Sequence, residues 1–362
     1  MKSHLLCTNY AGLILSYSCV LVLLLRTMEG HSINLPGNET FLAIQAFGDS
    51  VLDTGNNNNL KTISKCNFPP YGRDFNSDGK ATGRFCNGKI ISDFIAEAVG
   101  IKDVLPSFHD TNLQSKDLQT GLCFASGGSG YDPLTPKILG VYSQSQQLQF
   151  FKEYIVKLEK EVGEEKSRTI IGKSLYLVSS GNNDILFSYF ATHLRKFKYD
   201  VASYTDFLVG LACRFLRNLH GFGARRVAVF SVAPLGCLPF ARTIGGGTHR
   251  ACAEKINEAV KVFNAKLVSE LASLNNQLPD SYFAYVDIYN PLLELIEKPN
   301  KFGFEIAGLG CCNTGLVETG LLCNKLEPFT CTNASTYLFW DSIHPTEGAY
   351  KIISSQILKQ LF

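Results

Sequence analysis

Ser50 and His344 are the residue types that can run covalent chemistry together. A serine hydroxyl is a weak nucleophile until a base takes its proton, and the base needs a third group to hold it. Ser50 closes the stretch Phe47-Gly48-Asp49-Ser50. His344 stands three residues after Asp341 and directly before Pro345. On a tight loop or a first helical turn, that spacing lets the carboxylate reach the imidazole Nδ1. His31, His109, His193, His220 and His249 have no comparable acidic partner. His109 does precede Asp110, but neighbouring side chains in an extended segment point apart. Acyl transfer also needs N–H donors for a tetrahedral oxyanion. The Ser50 amide is one. Gly127, in Ala125-Ser126-Gly127-Gly128-Ser129-Gly130, is expected to be a second. Asn183, in Gly181-Asn182-Asn183-Asp184, offers a side-chain N–H without a charge. Each feature also has a plainer reading: a polar turn, a packing histidine, a flexible glycine loop, a strand-to-helix turn. Their occurrence together in one chain favours the catalytic reading. The order Ser, Asp, His occurs in α/β-hydrolases too, but their nucleophile sits in G-x-S-x-G. Here it sits in Gly48-Asp49-Ser50-Val51-Leu52, early in the chain, which argues for another fold.

The elements around these residues must bring distant positions to one place. The apolar run Phe41-Leu42-Ala43-Ile44-Gln45-Ala46 reads as a buried strand. The polar turn after Ser50, with asparagines at 56–59, cannot continue it. Ile90, Ile91, Phe94, Ile95 and Val99 predict a helix over 89–99, stopped at Gly100. A short strand is expected at Gly121-Leu122-Cys123-Phe124, running into the glycine loop. Helices are predicted over 145–162, 204–219, 253–274 and 346–361, and strands over 174–179, 226–230 and 282–288. This alternation implies a mostly parallel sheet covered on both faces, a three-layer α/β/α sandwich forming a single domain over 31–362. Ser50, the Gly127 loop, Asn183 and the Asp341-Ser342-Ile343-His344 segment each follow a strand, and in a doubly wound sheet such ends converge on one edge.

The composition is globular: 362 residues, 45% hydrophobic and 18% charged, enough for a sizeable core. A formal net charge of +2 without any Lys/Arg run argues against a nucleic-acid partner. Lys2 and His4, an apolar block over 11–25 and Arg26 predict a secretory signal peptide over 1–30. That block is shorter than the ~20 residues that span a bilayer, so no integral membrane segment is expected after its removal. Asn38-Glu39-Thr40 and Asn333-Ala334-Ser335 are N-glycosylation acceptor triplets. Of twelve cysteines, Cys7 and Cys19 leave with the signal. The ten that remain favour disulfides in an exported protein. They contain no C-x-x-C pair, and no histidine stands near them at zinc-ligand spacing, so neither metal nor other cofactor is expected. Cys237 and Cys252 flank Gly245-Gly246-Gly247 and are placed to close that loop. The cluster over 311–331 is placed to pin a loop ahead of the last functional segment, with the pairing left open.

With these blocks in order, the chain resembles the GDSL esterase/lipase family of plants, within the wider SGNH hydrolases. The resemblance rests on Phe47-Gly48-Asp49-Ser50 with Asp53, Gly55, Asn56 and Asn57; on Phe124-Ala125-Ser126-Gly127-Gly128; on Gly181-Asn182-Asn183-Asp184; and on Asp341-Ser342-Ile343-His344-Pro345-Thr346. Pro69-Pro70-Tyr71-Gly72, Thr82-Gly83-Arg84-Phe85-Cys86-Asn87-Gly88 and Pro234-Leu235-Gly236-Cys237-Leu238-Pro239 fit it as well. Ala81 and Cys123 depart from it, where the family often has Pro and Asn. The resemblance implies a flavodoxin-like SGNH-hydrolase fold and hydrolysis of a carboxylic, lipid-type ester. It implies Ser50 as nucleophile, His344 as base oriented by Asp341, and Gly127 and Asn183 as oxyanion donors. The stretch from Cys123 to Thr135 is similar to the extracellular lipase branch associated with anthers and pollen coat. A secreted monomer acting on a small-molecule or lipid ester, in the cell wall or pollen coat, is the expectation. Two rivals stand beside it: an acyltransferase using an alcohol in place of water, and a secreted coat protein that keeps only the fold.

Overall fold

An unbroken apolar run suits a strand that is buried on both faces. The first strand, β1 (Ala43–Gly48), is buried at every residue, as is β2 (Ser174–Ser179). With β3 (Arg226–Phe230) and β4 (Tyr282–Val286) they form one parallel sheet in the order β1-β2-β3-β4. The computed structural model describes residues 40–75, 79–326 and 329–362. The expected signal over 1–30 and Asn38 lie outside them.

The free edge of β1 carries the stretch 121–126. Ala46 N–H donates to Leu122 O (3.1 Å), Phe124 N–H to Ala46 O (2.7 Å) and Ser126 N–H to Gly48 O (3.0 Å). The strand expected here reduces to a bridge at Cys123, which pairs with Ala46 on one side and Ser107 on the other. Glycines at positive φ turn the chain on both sides, Gly121 at +94° and Gly128 at +88°, so no longer ladder can form. Counting this stretch as an edge gives a flavodoxin-like order. Its switch point falls at β1, and ligands bind outside the carboxyl ends of the strands there.

Among the described residues the outer layers include six helices that bear on the site: α1 (Ile91–Ala98), α2 (Gln144–Val162), α3 (Val201–Gly221), α4 (Glu254–Gln277), α5 (Tyr289–Glu297) and α6 (Glu347–Leu361). Ser143, Asp200 and Thr346 start α2, α3 and α6 by accepting a backbone N–H in the first turn. α3 packs between α2 and α4 on one side of the sheet; α6 packs between α1 and α5 in the other layer. Phe47 of β1 anchors the first of these interfaces. Its ring stacks on Phe124 (5.0 Å between centroids) and meets the edges of Phe151 and Phe215 (5.4 and 5.8 Å).

A second, two-stranded parallel sheet pairs β5 (Ile306–Gly310) with β6 (Tyr337–Phe339). The segment Asp341-Ser342-Ile343-His344 follows β6. It therefore arrives from this small sheet and not from an end of the main one, as the alternation of elements had implied. Disulfides Cys311–Cys331 and Cys312–Cys323 pin the loop between β5 and β6, and Cys237–Cys252 closes the glycine loop. Cys66, Cys86, Cys123 and Cys213 are free. Among the described residues no helix is long and apolar enough to cross a membrane.

Candidate active site

Ser50 owes its position to Gly48. That glycine sits at φ +125°, and a Cβ on it would collide with the Ser179 carbonyl of the neighbouring strand. Gln147 of α2 holds the same residue by both polar backbone groups, accepting from its N–H and donating to its C=O, each at 2.8 Å. Asp49 N–H then continues the ladder to Ser179 O (2.9 Å), and the chain turns. The buried Asp49 carboxylate accepts from Val51 N–H (3.1 Å) and Asn182 Nδ2 (2.9 Å), tying the turn to the end of β2. Burial pushes this carboxyl up to about 6, against the pull of its hydrogen bonds.

Ser50 Oγ lies 2.8 Å from His344 Nε2, across 294 residues of sequence. His344 Nδ1 lies 2.9 and 2.8 Å from the two oxygens of Asp341. All three side chains are buried. Asp341 accepts four further bonds: from Ile343 N–H (2.8 Å), His344 N–H (2.7 Å), Tyr71 OH (2.7 Å) and Thr319 OH (3.0 Å). Burial raises the Asp341 carboxyl, but the facing imidazole and these donors outweigh it and hold the group below its ordinary value. The Tyr71 hydroxyl is fixed in turn by Gly320 N–H (2.8 Å). The Phe85 ring covers the imidazole at 4.9 Å between centroids.

The glycine loop differs from expectation. Gly127 N–H donates to Asp53 Oδ2 at 2.8 Å, so the amide expected to face an oxyanion is already engaged. Asp53 is a loop organiser: its other oxygen accepts from Gly55 and Asn56 N–H, both at 2.8 Å. The Gly127 carbonyl is taken as well, by Asn57 Nδ2 (2.8 Å) and Ser64 OH (2.9 Å). Gly128 instead lines the space beside Ser50, and its N–H has no protein partner among the described residues. Asn183, at the start of a π-helical stretch over Asp184–Ala191, also borders that space. It donates one Nδ2 hydrogen to Ser129 O (2.8 Å), which leaves its second hydrogen free to point elsewhere. The asparagines at 56 and 57, whose role could not be read from sequence, stitch the turn after Ser50 to the glycine loop through Cys123, Ala125 and Gly127 carbonyls.

Two cavities meet at Ser50, Asn183, Ile343 and His344. One is narrow, about 50 Å³, and runs inward between Leu186, Leu238, Leu292 and Ile353. The other is a groove of about 460 Å³ reaching the surface past Phe187, Phe240, Leu321 and Leu322. Among the described residues no group of three His, Cys, Asp or Glu side chains could hold a metal ion. A hydroxyl, an imidazole and a buried carboxylate in hydrogen-bonded series, with N–H groups beside the hydroxyl, can attack a carbonyl carbon and stabilise the resulting oxyanion. Asn333 is exposed, on the turn before β6.

A family model for GDSL-like lipases/acylhydrolases matches residues 44–357. GDSL esterase/lipase EXL3 of Arabidopsis thaliana is 47% identical over 342 residues, covering 94% of this chain and 93% of its own. GDSL esterase/lipase At5g42170 of the same plant is 51% identical over 333 residues, covering 91% and 89%. Among solved structures, an extracellular lipase of Streptomyces rimosus aligns with 87% of this chain and 99% of its own, at 14% identity and a TM-score of 0.38. That likeness is too distant to carry any argument about the site.

Proposed function

This chain belongs to the GDSL-like lipase/acylhydrolase family and is a carboxylic ester hydrolase, and from that premise we propose that Ser50 is its nucleophile, His344 its base and Asp341 the carboxylate that holds the base. Ser50 Oγ adds to the ester carbonyl carbon while His344 Nε2 takes the hydroxyl proton. The oxyanion is received by the amides of Ser50 and Gly128 and by Asn183 Nδ2. Collapse of the intermediate expels the alcohol, protonated by His344, and leaves the acyl group on Ser50. Water then adds with His344 as base, and the carboxylic acid leaves. The observation that carries this reading is the unbroken series Ser50–His344–Asp341 at 2.8–2.9 Å. Ser50→Ala is expected to lower kcat on p-nitrophenyl acetate by roughly 10⁴-fold or more, with an unchanged melting temperature. Residual activity within tenfold of wild type would remove Ser50 from the role.

Secretion is part of the same reading, with cell wall or pollen coat as destination and residues 31–362 forming one monomeric domain. Three disulfides support it, because they persist in oxidising compartments. So does the exposure of Asn333, a position a glycan can reach. Expression in plant cells should deliver the protein to the medium with glycans on Asn38 and Asn333. Two steps of mobility lost on glycosidase treatment, one in Asn333→Gln, are the expected result. Full retention inside the cell would refute it.

A further inference from the structure

The two cavities at Ser50 differ in a way that assigns them. The inner one is walled by Ile91, Leu186, Leu238, Ile288, Leu292 and Ile353, each at most 4% exposed. The outer one is rimmed by Ile63, Leu321 and Leu322, which are 64%, 43% and 60% exposed. The inner cavity is thus walled by core side chains, whereas the rim of the outer groove stands in water.

A two-step hydrolysis treats the two halves of an ester unequally. The acyl half stays bonded to Ser50 after the first step. The alcohol half must depart, and a water molecule must reach His344 in its place, before the second step begins. An alcohol seated in the inner cavity would have to leave past the acyl group, and water would have to enter by the same blocked route. An alcohol seated in the outer groove departs directly. Resting on the ester-hydrolase reading, we infer that the inner cavity holds the acyl group and the outer groove the alcohol. The sizes then name the substrate class. A cavity of 150 Å³ holds benzene, so about 50 Å³ has room for roughly two or three carbons beyond the carbonyl. The groove is about nine times larger and, among the described residues, is lined mostly by aromatic and aliphatic side chains, with Ser64, Asn183 and Thr319 beside them and His344 as its one ionisable member. The enzyme is therefore built for esters of short carboxylic acids with bulky, uncharged, apolar alcohols.

The test is a matrix of substrates and variants on the full chain. With p-nitrophenyl esters of increasing acyl length, kcat/KM of the wild type is expected to drop by tenfold or more beyond about four carbons. Leu292→Ala, or the milder Leu292→Val if the first variant folds poorly, should move that limit to longer acids. Phe187→Ala, on the groove wall, should leave the acyl limit in place. It should raise KM severalfold for acetates of large alcohols relative to ethyl acetate. If Phe187→Ala moves the acyl limit and the Leu292 variants do not, the assignment is reversed and the inference fails. A wild type that prefers long acyl chains, with no response to either wall, overturns it too. A folded wild type inert on every ester would refute the hydrolase reading itself, a different result from either of these.

Discussion

Asp341 shows how much a single carboxylate has to satisfy. Six hydrogen-bonding contacts converge on its two oxygens, from its own loop, from the imidazole, and from Tyr71 and Thr319 far away in sequence. Tyr71→Phe removes one bond to a charged acceptor and strips Gly320 N–H of its partner. Such a loss costs about 1–3 kcal/mol of stability. Because Tyr71 holds the carboxylate and does not line either cavity, kcat should fall by roughly tenfold with KM unchanged. Steady-state kinetics showing the loss in KM alone would contradict this. Asp49 gives a pH prediction. Its carboxyl is raised from 3.8 to about 6 in the folded chain, chiefly by burial. Between those values the folded state binds the proton and the unfolded state does not, so the contribution of Asp49 to stability falls as pH rises through that window. The swing is on the order of 3 kcal/mol. Asp49→Asn cannot titrate, so its melting temperature relative to wild type should climb from pH 4 to pH 7; a flat difference would count against the shift. At this scale the sequence pointed to Ser50, Asp341 and His344, which the structure brings within hydrogen-bond reach of one another, and to Asn183, which borders the same space; their types name the chemistry proposed for them. For the backbone donor it pointed to Gly127, whose amide is engaged by Asp53, while the neighbouring Gly128 lines the space beside Ser50; an engagement by Asp53 is something no spacing rule points to.

Elements were legible in proportion to their length and buried stripe. The helices α2, α3, α4 and α6 begin and end within three residues of their expected bounds, and β2 and β3 match them. Short helices such as Ser115–Thr120 and Leu134–Leu139 offered no periodicity to find. The small sheet was hidden for a similar reason: β6 spans Tyr337–Phe339, and β5 carries two glycines in Ile306–Gly310. Yet this sheet, with its cysteine-pinned loop, carries Asp341 and places Thr319 and Gly320 beside it. The disulfides should therefore separate by function. Removing Cys237–Cys252 with paired serines releases a loop of 15 residues and should cost about 3 kcal/mol of stability with kcat nearly intact. Removing Cys312–Cys323 frees the segment bearing Thr319 and should lower kcat as well as the melting temperature. Equal effects on kcat from the two pairs would dissolve that distinction.

For the molecule as a whole, the layered fold was readable from alternating strands and helices, and the family from ordered blocks spread along nearly all of it. What sequence could not supply was the shape of the space at Ser50, since cavities are made by side chains distant in the chain. The same dispersion has a consequence in time. Ser50 lies in the turn after the first strand described, while His344 follows the last, 294 residues later. At synthesis rates of about 5–20 residues per second, the proposed base trails the proposed nucleophile by roughly 15–60 s. Any nascent chain or fragment that stops short of β6 carries a serine with no partner to activate it. On the proposed roles, the hydrolase is silent while it is being made and acquires reactivity only when these two distant segments have met.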